Sequence, residues 1–325
     1  MTFIDKHWKP NHILAKDGDF FDYEHANKDK INFFIARSQG TNKILAIQGF
    51  IPYGSYPDCH ICGVISRVHP DSRIPMLGVE LMKRMLEITK PTTYCGIGTN
   101  PKTMIPLVKR FFKRSTGIMD HYYILNSSKE GYKIAKIHNK PKHLMSHTAN
   151  DLNKFESVLV TKNNIKEILN SLVIDDRLPK KSYEYIIKRY FQNPKYKYKC
   201  YKIHINKGLK SSLLFTREVF FNDAKALRII DFIGDIDILS FIGQWALSEM
   251  KARNYEYIDL LSSGVDKEVL IKSGFVKNHS DSKNIIPTYF EPFIRENIDI
   301  FYEKSEEKLI LFKGDADGDR PNQMS

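Results

Sequence analysis

Long hydrophobic runs are missing from this sequence. No uninterrupted apolar stretch reaches the roughly 18 residues that a helix needs to cross a bilayer. The first residues, MTFIDKHWKP, also lack the apolar core of a signal peptide. These features argue against a membrane span, and we expect the protein to act in the cytoplasm.

Cysteine is scarce, with four residues in a chain of 325. Cys59 and Cys62 form one C-x-x-C pair, but a zinc site needs a second ligand pair at similar spacing, and none follows. A redox pair usually opens a helix, whereas CHICGVISRV is typical of a strand. We therefore expect reduced structural thiols and no metal.

Negative charge is scarce in the first half of the chain. Residues 1–150 contain 22 Lys and Arg against 12 Asp and Glu, whereas the remaining residues contain 28 against 26. A basic half attracts phosphates, whether they belong to nucleic acid, to a nucleotide cofactor or to a membrane surface. A solvated basic surface with no partner is the alternative.

The pattern of apolar residues predicts two related halves. In the first half, the strand-like CHICGVISRV is followed by the helical PMLGVELMKRML, the strand-like TTYCGIGTN and the helical IPLVKRFFK. A shift of 164 or 165 positions brings ALRIIDFIGD, ILSFIGQWALSEMKA and YIDLLSSGVDKEVLIKSGF into the same order. We expect an α/β (α+β) protein with domains 1–145 and 146–325, joined near residues 138–154. Two unrelated α/β domains that share this order by chance are the alternative.

Five stretches carry a resemblance to a known family. They are NHILAKDGDFFDYEH, SRVHPDSRIPMLGVELMKRML, GIGTNP, YEYIIKRYFQNPKYKYKCYKI and KGDADGDRPN. Together they resemble tandem acyltransferase-like proteins of the GNAT superfamily that take part in bacterial surface-polysaccharide biosynthesis, including O-antigen, capsule and lipopolysaccharide. The resemblance implies two GNAT-like domains, each with a mixed, mainly antiparallel sheet flanked by helices.

The same resemblance implies an activity and its partners. The protein would transfer an acyl group from acyl-CoA, used as a co-substrate, to the amine of a nucleotide-linked amino sugar. The first domain would bind acyl-CoA and the second would bind the acceptor, and a homodimer is compatible with this arrangement.

The helix predicted to start near Pro75 is the candidate for coenzyme A binding. A helix N-terminus offers unpaired N–H groups and about half a positive charge, which suits a diphosphate. The resemblance places the phosphate turn at Val68, Arg73, Met76, Leu77 and Gly78, and the pantetheine arm near Asn100. The turn departs from the family pattern because Pro75 has no N–H and only one glycine remains. An ordinary capped helix is the alternative, and a plain Gly/Asn turn is the alternative for Asn100.

The matching stretch of the second half, FIGDID, contains Asp235 and Asp237. Two carboxylates there repel a diphosphate. If one half alone binds coenzyme A, we therefore expect it to be the first.

Acylation of an amine by a thioester requires a neutral amine, a polarised carbonyl and a proton for the leaving thiolate. Direct transfer needs no covalent nucleophile, so the lack of a G-x-S-x-G motif is compatible with it. The candidate bases are His12, Asp22, His60 and Asp231. Tyr122, or its neighbour Tyr123, is the candidate acid for the thiolate. A packed or surface role is the alternative for each of these residues.

The terminal stretch KGDADGDRPN combines Asp315, Asp317, Asp319 and Arg320. A calcium loop of the EF-hand type is excluded because Arg320 stands where that loop requires glycine. A solvated acidic tail is one explanation. The other is a clamp, in which carboxylates hold a protonated amine or sugar hydroxyls and the guanidinium binds a phosphate. The resemblance favours this clamp for binding the acceptor.

Basic and aromatic residues alternate in KKSYEYIIKRYFQNPKYKYK. Such a pattern can bind single-stranded nucleic acid, but Tyr183, Ile186, Ile187 and Tyr190 have helical spacing. Core packing is therefore the favoured interpretation, and we do not expect nucleic acid as a partner. Two other hypotheses stay open: a tandem GNAT transferase that uses aminoacyl-tRNA, and a GNAT-like protein that binds glycans without catalysis.

Overall fold

A computed structural model describes residues 1–146, 155–205, 210–315 and 317–323. Within these residues the strands are β1 (Ala26–Asn27), β2 (Lys30–Ile31), β3 (Phe33–Arg37), β4 (Ile44–Pro52), β5 (Ile61–Val68), β6 (Tyr94–Ile97), β7 (Ser115–Ile118), β8 (Asp120–Leu125), β9 (Phe155–Val160), β10 (Tyr198–Ile205), β11 (Lys210–Phe221), β12 (Ala224–Gly234), β13 (Tyr257–Ser263), β14 (Val276–Asn278), β15 (Tyr289–Phe290), β16 (Phe293–Ile294), β17 (Phe301–Lys304) and β18 (Leu311–Phe312).

The helices of the same residues are α1 (Thr2–His7), α2 (Ile13–Lys16), α3 (Gly18–His25), α4 (Leu77–Thr89), α5 (Met104–Phe112), α6 (Ile165–Ser171), α7 (Tyr183–Ile186), α8 (Gly243–Arg253) and α9 (Lys267–Lys272). Helix α7 continues as a π-helical turn over Ile187–Phe191, and a 3₁₀ turn over Ile236–Phe241 precedes α8. No helix in the described part of the chain is both long and apolar enough to cross a membrane.

Two large sheets dominate the fold. The first has the strand order β3-β4-β5-β6-β17-β7, and the second has the order β14-β8-β13-β12-β11-β10-β9, with β18 paired to β13. Most neighbouring strands are antiparallel, whereas β5 with β6 and β12 with β13 are parallel. Helices pack against both sheets, so the predicted mixed, mainly antiparallel α/β fold class is confirmed.

The two sheets exchange strands. The predicted closing strand of the first half, β8, lies in the second sheet between β13 and β14. In return, β17 lies in the first sheet between β6 and β7. The division at 145/146 stays a prediction, but the sheets themselves do not follow it. Residues 147–154 of the predicted junction lie outside the described residues.

The predicted internal match is visible in the backbone. Each half has a strand, a helix, a parallel strand and a second helix, namely β5-α4-β6-α5 and β12-α8-β13-α9. Gly78 is the second residue of α4, and Gly243 is the first residue of α8. Both β5 and β12 also contain a β-bulge. These common features support a duplication.

A shared apolar core joins the halves. Ile51 and Tyr53 of the first sheet region pack in one cluster with Leu213 and Phe215 of β11. Residues of the KKSYEYIIKRYF stretch complete this cluster, which confirms their packing role: Tyr185, Ile186, Ile187 and Tyr190. Burying one large apolar side chain contributes about 1.5–3 kcal/mol. The second sheet is therefore held against the first by the hydrophobic effect as well as by strand exchange.

All four cysteines, Cys59, Cys62, Cys95 and Cys200, are free and buried, as expected for structural thiols. Among the described residues, no group of three or more His, Cys, Asp or Glu side chains is placed to hold a metal ion.

Candidate functional site

Strands β5 and β6 diverge in the first sheet. Their parallel pairing ends at Gly63 and Gly96, after which β5 continues to Val68. A β-bulge in β5, at Val64 and Ile65, lies at the point of divergence. Beyond Gly63, no strand in the described part of the chain pairs with this edge of β5. Bulges and unpaired edges leave backbone N–H and C=O groups available for a ligand.

Helix α4 begins at the far end of this open edge. Met76 is the residue before the helix and has the left-handed conformation, with φ of 58°. Its side chain makes no hydrogen bond to the N–H groups of the helix start. Among the described residues, none accepts a hydrogen bond from the N–H groups of Leu77, Gly78 or Val79. Arg73 and Met76 are exposed. The positive end of the helix is thus open to solvent, not covered by packed side chains.

Gly78 fits α4 against the end of β5. A Cβ at this position would lie 3.1 Å from Cγ2 of Val68, which is a tight contact. The two ends of the predicted phosphate turn, Val68 and Gly78, therefore lie next to each other. Asn100 lies after β6, on the other side of the divergence. Its Oδ1 accepts hydrogen bonds from the backbone of Lys102 and Thr103, so in this structure its side chain holds a turn.

A cavity of about 180 Å³ lies where β5 and β6 separate. Val64 and Ile97 line it from the two strands. Much of its remaining wall comes from the terminal segment, by which we mean residues 313–315 and 317–322. We call this space the splay cavity. The unpaired edge of β5 thus runs from Val64 on the cavity wall to Val68, next to the start of α4.

The second half shows the same divergence, but its space is occupied. Strands β12 and β13 are paired only as far as Ile229 and Leu260. Beyond that point, the backbone N–H of Gly314 donates a hydrogen bond to the carbonyl of Ile230 at 2.7 Å. The backbone N–H of Lys313 donates one to the carbonyl of Leu261 at 3.1 Å. The terminal segment therefore fills the position that stays open in the first half.

The two halves therefore differ because the terminal segment fills the divergence of the second half. This reason is different from the charge repulsion expected from the sequence. Asp235 accepts a hydrogen bond from the backbone of Asp237 at the start of the 3₁₀ turn, and it also pairs with Lys210 at 2.7 Å. Its carboxylate is therefore partly neutralised. Steric filling by the chain itself, more than the two carboxylates, closes the second half to a long ligand.

The four predicted clamp residues separate into two groups. Asp317, Asp319 and Arg320 line the splay cavity. Arg320 pairs with Asp317 at 3.0 Å, and Asp319 accepts two hydrogen bonds from Arg217. Burial raises the pKa of Asp319, but the adjacent Arg217 guanidinium outweighs burial and holds that pKa well below its usual range.

Asp315 belongs to a separate buried cluster. Lys181 lies 2.8 Å from Oδ1 of Asp315 and 2.5 Å from Oδ2 of Asp231. Tyr190 donates a further hydrogen bond to Asp231 at 2.5 Å. Burial raises the pKa of Asp231, although Lys181 opposes this. Both Asp231 oxygens are hydrogen-bonded in the interior, so the geometry favours a structural role for this predicted base.

His12 is fully buried at the N-terminus of α2. Its Nδ1 accepts a hydrogen bond from the backbone of Leu14, and its Nε2 lies 3.4 Å from Oδ1 of Asn322. Burial and the nearby charge of Arg320 lower its pKa to about 3. His12 therefore caps a helix and contacts the terminal segment, which leaves no free nitrogen for a substrate proton.

The other predicted catalytic residues do not converge on the splay cavity. Asp22 is exposed on α3. His60 is hydrogen-bonded to Thr93 and lines a different cavity together with Lys180. Tyr122 is buried in the core of the second sheet, where burial raises its pKa to about 12. Their catalytic roles remain predictions that this geometry does not favour.

The cations of the splay cavity were not among the residues expected to form a site. Lys313 and Arg217 line it from the interior, and Lys9 lies exposed at its wall. Lys313 is the first residue of the terminal stretch KGDADGDRPN, which was a usable signal. Nothing local distinguishes Lys9 or Arg217 from the many other basic residues of the chain.

Comparisons with known proteins give weak structural likenesses. No protein-family model matches the chain, and no curated protein sequence matches it. Saccharomyces cerevisiae N-myristoyltransferase with bound myristoyl-CoA matches at 12% identity over 88% of this chain and 69% of that chain, with a TM-score of 0.43.

Two further solved structures match at a similar level. A GCN5-related N-acetyltransferase from Kribbella flavida has 10% identity, covers 81% of this chain and 57% of that one, and has a TM-score of 0.42. A tandem GNAT protein from the clavulanic acid biosynthesis pathway has 11% identity, covers 84% and 82%, and has a TM-score of 0.38. All three TM-scores are below 0.5, so we base no conclusion about this chain on them.

Proposed function

We propose that this protein is an acyl-CoA-dependent N-acyltransferase of the GNAT type. One observation carries the proposal: the open edge of β5 leads from the uncapped start of α4 to the splay cavity, whereas the corresponding path in the second half is filled. Val64 and Val68 are four residues apart on β5, which corresponds to about 13 Å of strand. This path suits a donor with a diphosphate at one end and a reactive group at the other.

Each part of the path suits one part of acyl-CoA. The free N–H groups of Leu77, Gly78 and Val79, with the exposed Arg73, suit the diphosphate. The unpaired edge of β5 suits the amide groups of the pantetheine arm, because an extended chain can add to a sheet edge by main-chain hydrogen bonds. The thioester would then lie near Val64 and Ile97, in the splay cavity.

For the acceptor, we propose the amine of a nucleotide-linked amino sugar, in the biosynthesis of a bacterial surface polysaccharide. The support for this finer assignment is the sequence resemblance, together with the concentration of charged side chains around the splay cavity. Three residues of the predicted clamp line the cavity, and one of them, Asp319, is held by Arg217. Asp317 and Arg320 are therefore the clamp residues that would contact the acceptor beside the thioester position. Transfer forms an amide and releases coenzyme A as the thiol.

Calorimetry and a thiol-release assay test the proposal. Coenzyme A should bind wild-type protein, and Arg73→Glu should weaken binding at least tenfold because it places a negative charge beside the diphosphate. Arg84→Glu is the matched control: it changes an exposed arginine within α4, away from the start of that helix. Acetyl-CoA with a panel of nucleotide-linked amino sugars should release free thiol. Absence of heat with coenzyme A, and of thiol release with every pair, contradicts the proposal.

A further inference from the structure

The splay cavity contains a buried lysine without a counterion. The Lys313 side chain lies on the cavity wall, and the residue is only 4% exposed. In the described part of the chain, its ammonium makes no ion pair or side-chain hydrogen bond, and its Nζ lies 5.4 Å from the centroid of the Tyr289 ring. Buried charges are normally paired, because removing an ion from water is costly. An unpaired ammonium facing a cavity therefore indicates a ligand of opposite charge.

Asp319 and Asp259, the carboxylates whose charges act on Lys313, are already engaged. Asp319 is held by Arg217, and Asp259 is held by Arg228 and His121. These two pairs are close to neutral, so Lys313 adds a net positive charge. Glu291 also lines the cavity, but it makes no ion pair with Lys313. Among the described residues, no carboxylate therefore forms a direct ion pair with Lys313.

The guanidinium of Arg320 also has a buried hydrogen-bond donor without a partner. Nη1 of Arg320 is buried and has no hydrogen-bond partner in the described residues, although Nη2 pairs with Asp317. Arg320 lines the cavity too. A guanidinium and an ammonium around one small space are the side chains that proteins use to bind carboxylates and phosphates. These two unsatisfied donors come from independent observations, and both lie on the terminal segment.

We propose that the splay cavity binds an oxyanion of the acceptor, a carboxylate or a phosphate ester, through Lys313 and Arg320. The charge of the ligand follows from the cavity alone, whereas its identity as part of the acceptor rests on the proposed function. Because Val64 and Ile97 line the same cavity, the oxyanion would lie beside the thioester position. The acceptor therefore carries its amine and its anionic group close together.

The titration of Lys313 supports this site. Burial lowers the pKa of Lys313 to about 8, and the positive charges of Arg228 and Arg217 act in the same direction, whereas Asp319 and Asp259 oppose them. A bound oxyanion favours the protonated lysine. Binding should therefore weaken as the pH rises through about 8.

Lysine methylation and thermal unfolding of the full chain test the site without coenzyme A. Lys313 should be methylated by formaldehyde and cyanoborohydride, as read by peptide mass spectrometry. Inorganic phosphate or acetate should reduce that labelling at least fivefold compared with chloride at equal ionic strength. Protection by phosphate alone indicates a phosphate ester, and protection by acetate alone indicates a carboxylate. Equal labelling of Lys313 in all three salts overturns the inference.

Two variants give a second measurement. Lys313→Met removes the buried charge and should abolish the rise in Tm that the effective anion produces in wild type. Lys308→Met removes a lysine with an exposed side chain and should keep that rise. If Lys313→Met keeps the full rise, the anion binds elsewhere and the inference fails. Anion binding without any acyl transfer would instead contradict the proposed function alone, and transfer without anion binding would contradict this inference alone.

Discussion

Arg217 donates two parallel hydrogen bonds to the carboxylate of Asp319, at 2.8 Å from Nε and 2.7 Å from Nη2. Both side chains are buried, and the pair joins β11 to the terminal segment. Tyr198 donates a third hydrogen bond to Asp319 at 3.0 Å. The terminal segment is therefore fixed to β10 and β11 and lines the splay cavity. This position excludes the alternative of a solvated acidic tail.

Asp319→Asn should strongly destabilise the protein. The change leaves the Arg217 guanidinium buried without a counterion, which costs about 3–5 kcal/mol of the free energy of unfolding. Urea denaturation measures the loss. Asp223→Asn, which breaks an exposed pair with Lys133, is the control and should cost far less, because solvent screens an exposed ion pair. A similar small loss for both variants would show that the Arg217 pair contributes little.

Stability should also depend on Asp319 in acid. Its pKa is lower in the folded protein than in the unfolded chain, so its ionised form stabilises the fold. That contribution is fully present above about pH 4, near the ordinary pKa of Asp, and is lost as the pH falls further. Wild type should lose stability between about pH 4 and pH 2 more steeply than Asp319→Asn. Parallel pH profiles from urea denaturation would contradict this expectation.

Gly314→Ala should displace the terminal segment from the second divergence. An added Cβ would lie 2.3 Å from Cγ2 and 2.8 Å from the carbonyl oxygen of Ile230, so the backbone must move. Overpacking of this kind costs about 1–3 kcal/mol. Thermal and urea unfolding measure the loss. Gly40→Ala is the control, because nothing lies within 4 Å of a Cβ there. Equal stability of both variants would show that the contact with Ile230 is not close.

His12→Asn should reduce the loss of stability in weak acid. The folded protein holds His12 neutral, with a pKa of about 3, whereas the unfolded chain protonates it near pH 6.5. The fold therefore loses stability as the pH falls below about 6.5, by on the order of 2–4 kcal/mol for a fully buried group. Asparagine keeps a helix-capping side chain without this titration. Urea denaturation from pH 7 to pH 4 should give a flatter profile for the variant, and an unchanged slope would assign the effect to other histidines.

Fragments divided at the proposed boundary 145/146 should not fold alone. The first fragment would carry β8 without its partners β13 and β14, and it would lack β17. The second fragment would lack β8, so its edge strand β14 would have no partner. Each fragment should show no cooperative unfolding by circular dichroism, whereas co-expressed fragments should form a complex that unfolds cooperatively. Independent cooperative folding of residues 1–145 would contradict the importance of the exchange.

The sequence by itself determined the local elements. The apolar spacing of PMLGVELMKRML predicts the helix observed as α4, with Val79, Met82 and Met85 buried on one face. The alternating and β-branched residues of CHICGVISRV predict β5, and the offset of about 165 positions predicts the repeated order of elements. These features depend on residues that are neighbours in the chain, so they can be predicted from the sequence alone.

The tertiary structure alone decided which residues form the site. The exchange of β8 and β17 depends on pairing between strands that are far apart in the sequence. That pairing places the terminal segment in the second divergence, separates Asp315 from Asp317, and leaves Lys313 beside the splay cavity without a counterion. Burial and charge compensation arise from contacts between distant segments, and no local pattern of residue types specifies them.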